Sequence, residues 1–162
     1  MKTVYDLTTR LLIFFTILVS ISSFRTGYFP TADLPSLFDS VSKKGIALTG
    51  AQEVPAVTTS GSGSLDVSYD KSTKTLRYSA SWTGMSDSVT MMHFHGPADK
   101  GVNAGVVFPI PNFTKGMAGT ANGTVTLDEA KMKEADLLGG KWYYNIHTKT
   151  HPGGEIRGQV EF

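Results

Sequence analysis

Apolar residues recur at every second position through much of the chain after Gly45, and side chains on a strand alternate between faces with that period. Leu65, Val67 and Tyr69 interleave with Ser64, Asp66 and Ser68; Leu76, Tyr78, Ala80 and Trp82 interleave with Thr75, Arg77, Ser79 and Ser81. The polar stretch from Asp70 to Lys74 between the two runs has hairpin length, so the pair is expected to be antiparallel. Further strands are expected at 46–50, 88–95, 104–109, 119–126, 141–148 and 155–162. In the last, Ile156, Val160 and Phe162 share a face with Gly158, while Arg157, Gln159 and Glu161 share the other. One segment has a different period. Thr126 and Glu129 have capping-box spacing, Ala130, Glu134 and Leu137/Leu138 follow at helical spacing, and Gly139-Gly140 is a stop. One short helix is therefore expected at about 128–138. Many short strands joined by glycine-rich turns argue for an all-β, two-sheet antiparallel sandwich of roughly eight strands.

The N-terminal segment has another character. Lys2 and Arg10 precede the apolar run Leu11–Val19, which extends loosely to Phe24. About 14 residues suits the apolar core of a signal peptide and falls short of the roughly 20 that a membrane span needs. Ser20-Ile21-Ser22 places small residues at the spacing a signal peptidase prefers. Two readings stand: a signal peptide over 1–23 that is removed, or an anchor that stays and gives the chain its one membrane contact. Either delivers the remainder outside the cytoplasm, to the periplasm, the cell envelope or the medium. Residues 24–44, with Gly27, Pro30 and Pro35 and no sustained period, read as a linker, leaving 45–162 as the domain.

Charge and composition exclude several classes. Lys+Arg number 15 against 14 Asp+Glu, and the residues after 44 keep 10 and 11 of these, so there is no basic patch for nucleic acid. A hydrophobic content of 40% is enough to build a core. Cysteine is absent, which excludes disulfides, thiol nucleophiles and thiolate metal sites.

All 4 histidines fall in two short motifs, His93-Phe-His95 and His147-Thr-Lys-Thr-His151. Residues i and i+2 of a strand project together, so His93 and His95 sit side by side while Phe94 enters the core. Tyr143, Asn145 and His147 share the more polar face of their strand, with Trp142, Tyr144 and Ile146 on the other. If the two strands are neighbours, three or four imidazoles converge into a site for copper or zinc. His151, in a turn before Pro152-Gly153-Gly154, is the peripheral member, and Met91 could add a thioether for Cu(I). Affinity would then weaken as pH falls through the ordinary histidine range near 6.5. The competing reading is a polar face of histidines hydrogen-bonded to backbone and to Asp99 or Glu155.

Asn145 and Glu155 are candidates to hydrogen-bond the far ring nitrogens, and Arg157, two residues from Glu155, to brace them. The alternative is a solvated strand face of Glu155, Arg157 and Gln159. No catalytic residue is assigned. Ser60-Gly-Ser-Gly-Ser64 lacks the setting of a nucleophile elbow, and Glu53, Asp99 and Glu155 read as exposed loop carboxylates. Asn112-Phe-Thr114 and Asn122-Gly-Thr124 fit the N-glycosylation pattern.

Three blocks resemble a known family: Leu48-Thr-Gly-Ala-Gln-Glu-Val-Pro55, His93-Phe-His-Gly-Pro-Ala98, and Tyr144-Asn-Ile-His-Thr148 running on to His151-Pro-Gly-Gly-Glu-Ile-Arg-Gly-Gln159. They are similar to the CHRD domain, named after the repeats of chordin and found in many exported bacterial proteins. The resemblance implies a Greek-key sandwich of immunoglobulin-like or superoxide-dismutase-like character, without established enzymatic activity. It matches His93, His95 and His147 to typical family positions, whereas the position of His151 varies. Three functional classes follow. One is an exported binding module that holds copper or zinc and meets a protein or envelope partner. The second is a metal-dependent redox enzyme resembling copper/zinc superoxide dismutase. The third is a purely structural or protein-interaction domain.

Overall fold

A computed structural model of the chain describes residues 39–162, so the expected signal segment and most of the expected linker lie outside the described residues. Eight strands and one short helix follow in order: β1 (Ser40–Thr49), β2 (Ser62–Asp70), β3 (Thr75–Thr83), β4 (Val89–His95), β5 (Val106–Pro109), β6 (Gly119–Thr126), α1 (Glu134–Leu138), β7 (Trp142–Thr148) and β8 (Ile156–Val160). Every pairing is antiparallel. A 3-10 turn, Gly50–Gln52, follows β1. The expected hairpin is β2–β3, in register from Ser62↔Thr83 to Asp70↔Thr75. β1 begins at Ser40, ahead of the expected boundary at Gly45, and pairs Ser40–Lys43 with the far end of β2. Among the described residues, no helix is long and apolar enough to cross a membrane.

The strands hydrogen-bond in the order β5-β4-β7-β8-β1-β2-β3-β6 as one curled sheet, where two separate sheets were expected. Its two halves meet at one ladder pair, Thr49↔Arg157, between β1 and β8. The curl brings the apolar faces of the halves together. Leu65, Val67 and Tyr69 of β2 and Leu76, Tyr78, Ala80 and Trp82 of β3 are buried, as are Phe94, Tyr144, Ile146, Ile156 and Val160 of the other half. Tyr78 meets Phe94 edge-on at 5.6 Å and Phe108 at 6.3 Å between ring centroids, and Phe94 meets Tyr144 at 5.0 Å. Such pairs add about 0.5–1.5 kcal/mol beyond the area they bury.

The helix is shorter than its sequence signals. Thr126 ends β6, and its expected capping partner Glu129 instead pairs with Lys74 and accepts from the Glu134 N–H. A turn over Asp128–Met132, in which the Asp128 carboxylate accepts from the Ala130 N–H, takes the residues expected to form the first helical turn. The stop does act: Gly139 N–H donates to the Ala135 carbonyl, and Gly140 has φ +69.

Gly158 decides how closely β8 and β1 approach. A Cβ built there would lie 2.7 Å from both the Ala47 carbonyl and Leu48 Cδ2. Gly158→Ala should destabilise the domain by about 1–3 kcal/mol through this overpacking. Gly153→Ala, where a Cβ would meet nothing within 4 Å, should stay within about 0.5 kcal/mol of the parent. Urea unfolding midpoints check the pair, and equal midpoints would refute the packing argument.

Candidate metal centre

β4 lies between β5 and β7, and its register with β7 sets Met91 opposite His147, His93 opposite Asn145 and His95 opposite Tyr143. On the next strand, Arg157 stands opposite Asn145 and Gln159 opposite Tyr143. Strand parity puts all these side chains on the face turned away from the apolar core. Three imidazoles therefore converge. One ring nitrogen each of His93, His95 and His147 lies within 4.8 Å of the other two, and His93 Nδ1 is 3.0 Å from His147 Nε2. His151 is outside the group, in the turn after β7, where its backbone N–H donates to the Thr148 hydroxyl. Met91 projects beside the group and is exposed.

Loops cover most of this face, although Met91 stays exposed and His93 half-buried. Tyr143, Asn145, His147, Arg157 and Gln159 are each 5% exposed or less. The segment between β4 and β5, the stretch after the 3-10 turn and the 149–154 turn lie over it and supply hydrogen-bond partners. His95 Nδ1 donates to the Ala104 carbonyl at 2.9 Å, and His147 Nδ1 donates to the Pro152 carbonyl at 2.9 Å. A carbonyl only accepts, so each ring carries its proton on Nδ1 and its lone pair on Nε2, and that of His147 faces His93 Nδ1 at 3.0 Å. His95 Nε2 is buried without any partner. Asn145 Oδ1 lies 3.0 Å from His147 Nε2.

The two other expected supporting residues act differently. Arg157 lies with its Cζ 3.4 Å from the Tyr143 ring centroid, and Tyr143 stacks on His95 at 4.8 Å with the planes 3° apart. The Arg157 guanidinium also donates to the Val102 carbonyl and to Asn103 Oδ1, tying down the covering segment. Glu155 serves elsewhere. Fully buried, it accepts from the hydroxyls of Thr59, Ser86 and Thr148 and from the Ser86 N–H, and makes no hydrogen bond to a histidine. Gln159 donates to the carbonyls of Ala98 and Gly140. The solvated-face reading of Glu155, Arg157 and Gln159 is thereby corrected, because loops cover that face too.

Glu53 and Tyr143 are members of the site that residue patterns alone did not single out. Glu53 reads in the sequence as an exposed loop carboxylate, yet it is 6% exposed and its Oε1 has no hydrogen-bond partner. Burial raises its carboxyl to about 7, against the opposing pull of the Arg157 charge and the Asn145 amide. Burial also keeps the histidines neutral: His93 falls to about 4 and His147 is lowered, both helped by repulsion from neighbouring rings, and His95 is lowered with help from the Arg157 charge. Neutral imidazoles are the form that binds a metal.

The described residues form an all-β domain carrying a three-histidine cluster on the polar, largely covered face of β4 and β7. The family model described as the CHRD domain matches residues 45–160, and the chain belongs to that family. No curated protein and no solved structure matches it.

The Glu53 and histidine shifts act on stability in opposite directions. The folded state holds the Glu53 proton where the unfolded chain has lost it, so this group lowers stability as pH rises from about 4.5 to about 7. Folded His93 releases a proton that the unfolded chain keeps, so stability rises with pH between about 4 and 6.5, and His95 and His147 act in the same direction. Glu53→Gln isolates the first effect. Its melting temperature should gain on the parent between about pH 5 and pH 8. A difference that does not move across that range would refute the buried-carboxyl account.

Proposed function

We propose that this chain is an exported CHRD module that holds a divalent transition metal, copper or zinc, through His93, His95 and His147. The observation that carries the reading is the lone-pair arrangement: two buried rings are held by backbone carbonyls at Nδ1 with the lone pair on Nε2, and His95 Nε2 has no partner within the protein. Imidazole nitrogens suit both metals, and backbone carbonyls bonded to the other ring nitrogen are the usual way of fixing such ligands. The His93–His147 separation suits the size of the ion, and the third nitrogen, within 4.8 Å of both, closes in on binding. At a zinc–nitrogen length of about 2.0–2.1 Å, tetrahedral ligand atoms are about 3.3 Å apart, close to the 3.0 Å between His93 and His147.

Export rests on the charged and apolar pattern of residues 2–24, with delivery to the periplasm, envelope or medium. We read the two halves of the curled sheet as the two layers of the sandwich that the family resemblance implies. The partner class consistent with this reading is another exported or envelope protein.

Titration of the metal-free chain with Zn(II) and Cu(II), followed by calorimetry, tests the reading. One equivalent should bind, with Cu(II) tighter than Zn(II) by the Irving–Williams order. His95→Ala or His147→Ala should remove most of the affinity, and His151→Ala much less. Because burial holds the rings neutral, affinity should persist at about pH 6 and fall away toward about pH 4, below the ordinary histidine range. The reading fails if neither metal binds stoichiometrically, or if the histidine variants bind as the parent does. Superoxide turnover by the loaded protein would instead support the redox-enzyme class.

A further inference from the structure

We infer that Asn145 is itself a ligand, its Oδ1 completing a closed site of three nitrogens and one oxygen; the inference rests on the metal reading above. Asn145 is two residues before His147 on the same face of β7, opposite His93 in register, and 3% exposed. Its Oδ1 is 3.0 Å from His147 Nε2, the same separation as His93 Nδ1 from that nitrogen. The neutral His147 ring carries its proton on Nδ1, facing the Pro152 carbonyl, so Nε2 and Oδ1 present lone pairs to each other. Two acceptors 3.0 Å apart make no hydrogen bond, and a cation between them turns the repulsion into attraction.

The amide orientation has its own support. Asn145 Nδ2 and Glu53 Oε1 crowd the same point over Gly154, at 2.7 and 2.4 Å from where a Cβ would stand. Glu53 Oε1, otherwise without a partner, can accept in either protonation state, so the NH2 end turns toward it and the oxygen toward the histidines. Glycine at position 154, with φ +125, leaves room for this packing. Tetrahedral zinc sites with all positions filled by protein are the structural class, whereas catalytic sites keep one position for water or substrate. Filling the fourth position with Asn145 makes this a site that retains its ion.

Co(II) is the probe, because its visible spectrum reports coordination number and donor type, with Zn(II) competition reading affinity. The full chain should give the strong visible bands of four-coordinate Co(II). Asn145→Ala should weaken Zn(II) binding about 10-fold or more and shift the Co(II) bands as water replaces the amide. Asn145→Asp keeps the shape and adds a charge, so it should bind Zn(II) more tightly than the parent and also shift the bands. If both variants keep the parent spectrum and affinity while His147→Ala loses binding, the Asn145 assignment is overturned and the histidine site stands. If the parent chain binds no Co(II) or Zn(II), both fall. Should Asn145→Ala fail to fold, Asn145→Asp decides alone: an unchanged spectrum and affinity overturn the assignment.

Discussion

Every side chain of β7 from Trp142 to Thr148 is out of water, on both faces of the strand. One face is apolar and meets the core through Trp142, Tyr144 and Ile146. The other carries Tyr143, Asn145 and His147, whose polar atoms must find partners, since an unsatisfied buried group costs about 1–3 kcal/mol. The loops over this face meet that need. Ala104 gives its carbonyl to His95 and Tyr143, and its N–H donates to the Tyr143 hydroxyl. Pro152 gives its carbonyl to His147. The bonds that make burial tolerable are the same bonds that leave the ring lone pairs facing inward.

β8 repeats the pattern with charged groups. Glu155 gathers Thr59, Ser86 and Thr148, joining the segment before β2, the connection between β3 and β4, and the end of β7. Arg157 gathers the covering segment at Val102 and Asn103 and lies over the Tyr143 ring. On the opposite side of the strand, Gly158 lets β1 come close. Such residues hold loops on a sheet, and the loops make a surface strand face into an interior. Of the four buried side-chain atoms without partners among the described residues, His95 Nε2 and Glu53 Oε1 belong to this patch.

Much of the sheet was legible from periodicity. The buried set of β2 and β3 is the alternating apolar set, and β6 covers the expected residues 119–126. The helix was less legible, because Thr126 and Glu129 satisfy a local rule that tertiary contacts override: β6 extends through Thr126, and Lys74 takes Glu129. Of the site, strand parity correctly groups His93 with His95 and His147 with Asn145, and the turn position sets His151 apart. Glu53 was misread because a carboxylate two residues before Pro55 carries no local sign of being covered. Its burial depends on Gly154 and Asn145, far along the chain.

The sequence by itself determined which residues share a face, because the two-residue period of a strand is a property of the local backbone and needs no partner. It also determined family membership, through motifs spread over most of residues 45–160. Tertiary structure decided which strands became neighbours, how they were registered, and that the polar face of β4, β7 and β8 would lie under loops. Those outcomes depend on contacts between residues such as His95 with Ala104, His147 with His93 and Arg157 with Val102. No local pattern contains them. Pairing set the distance between the imidazoles, and burial set their protonation and the direction of their lone pairs.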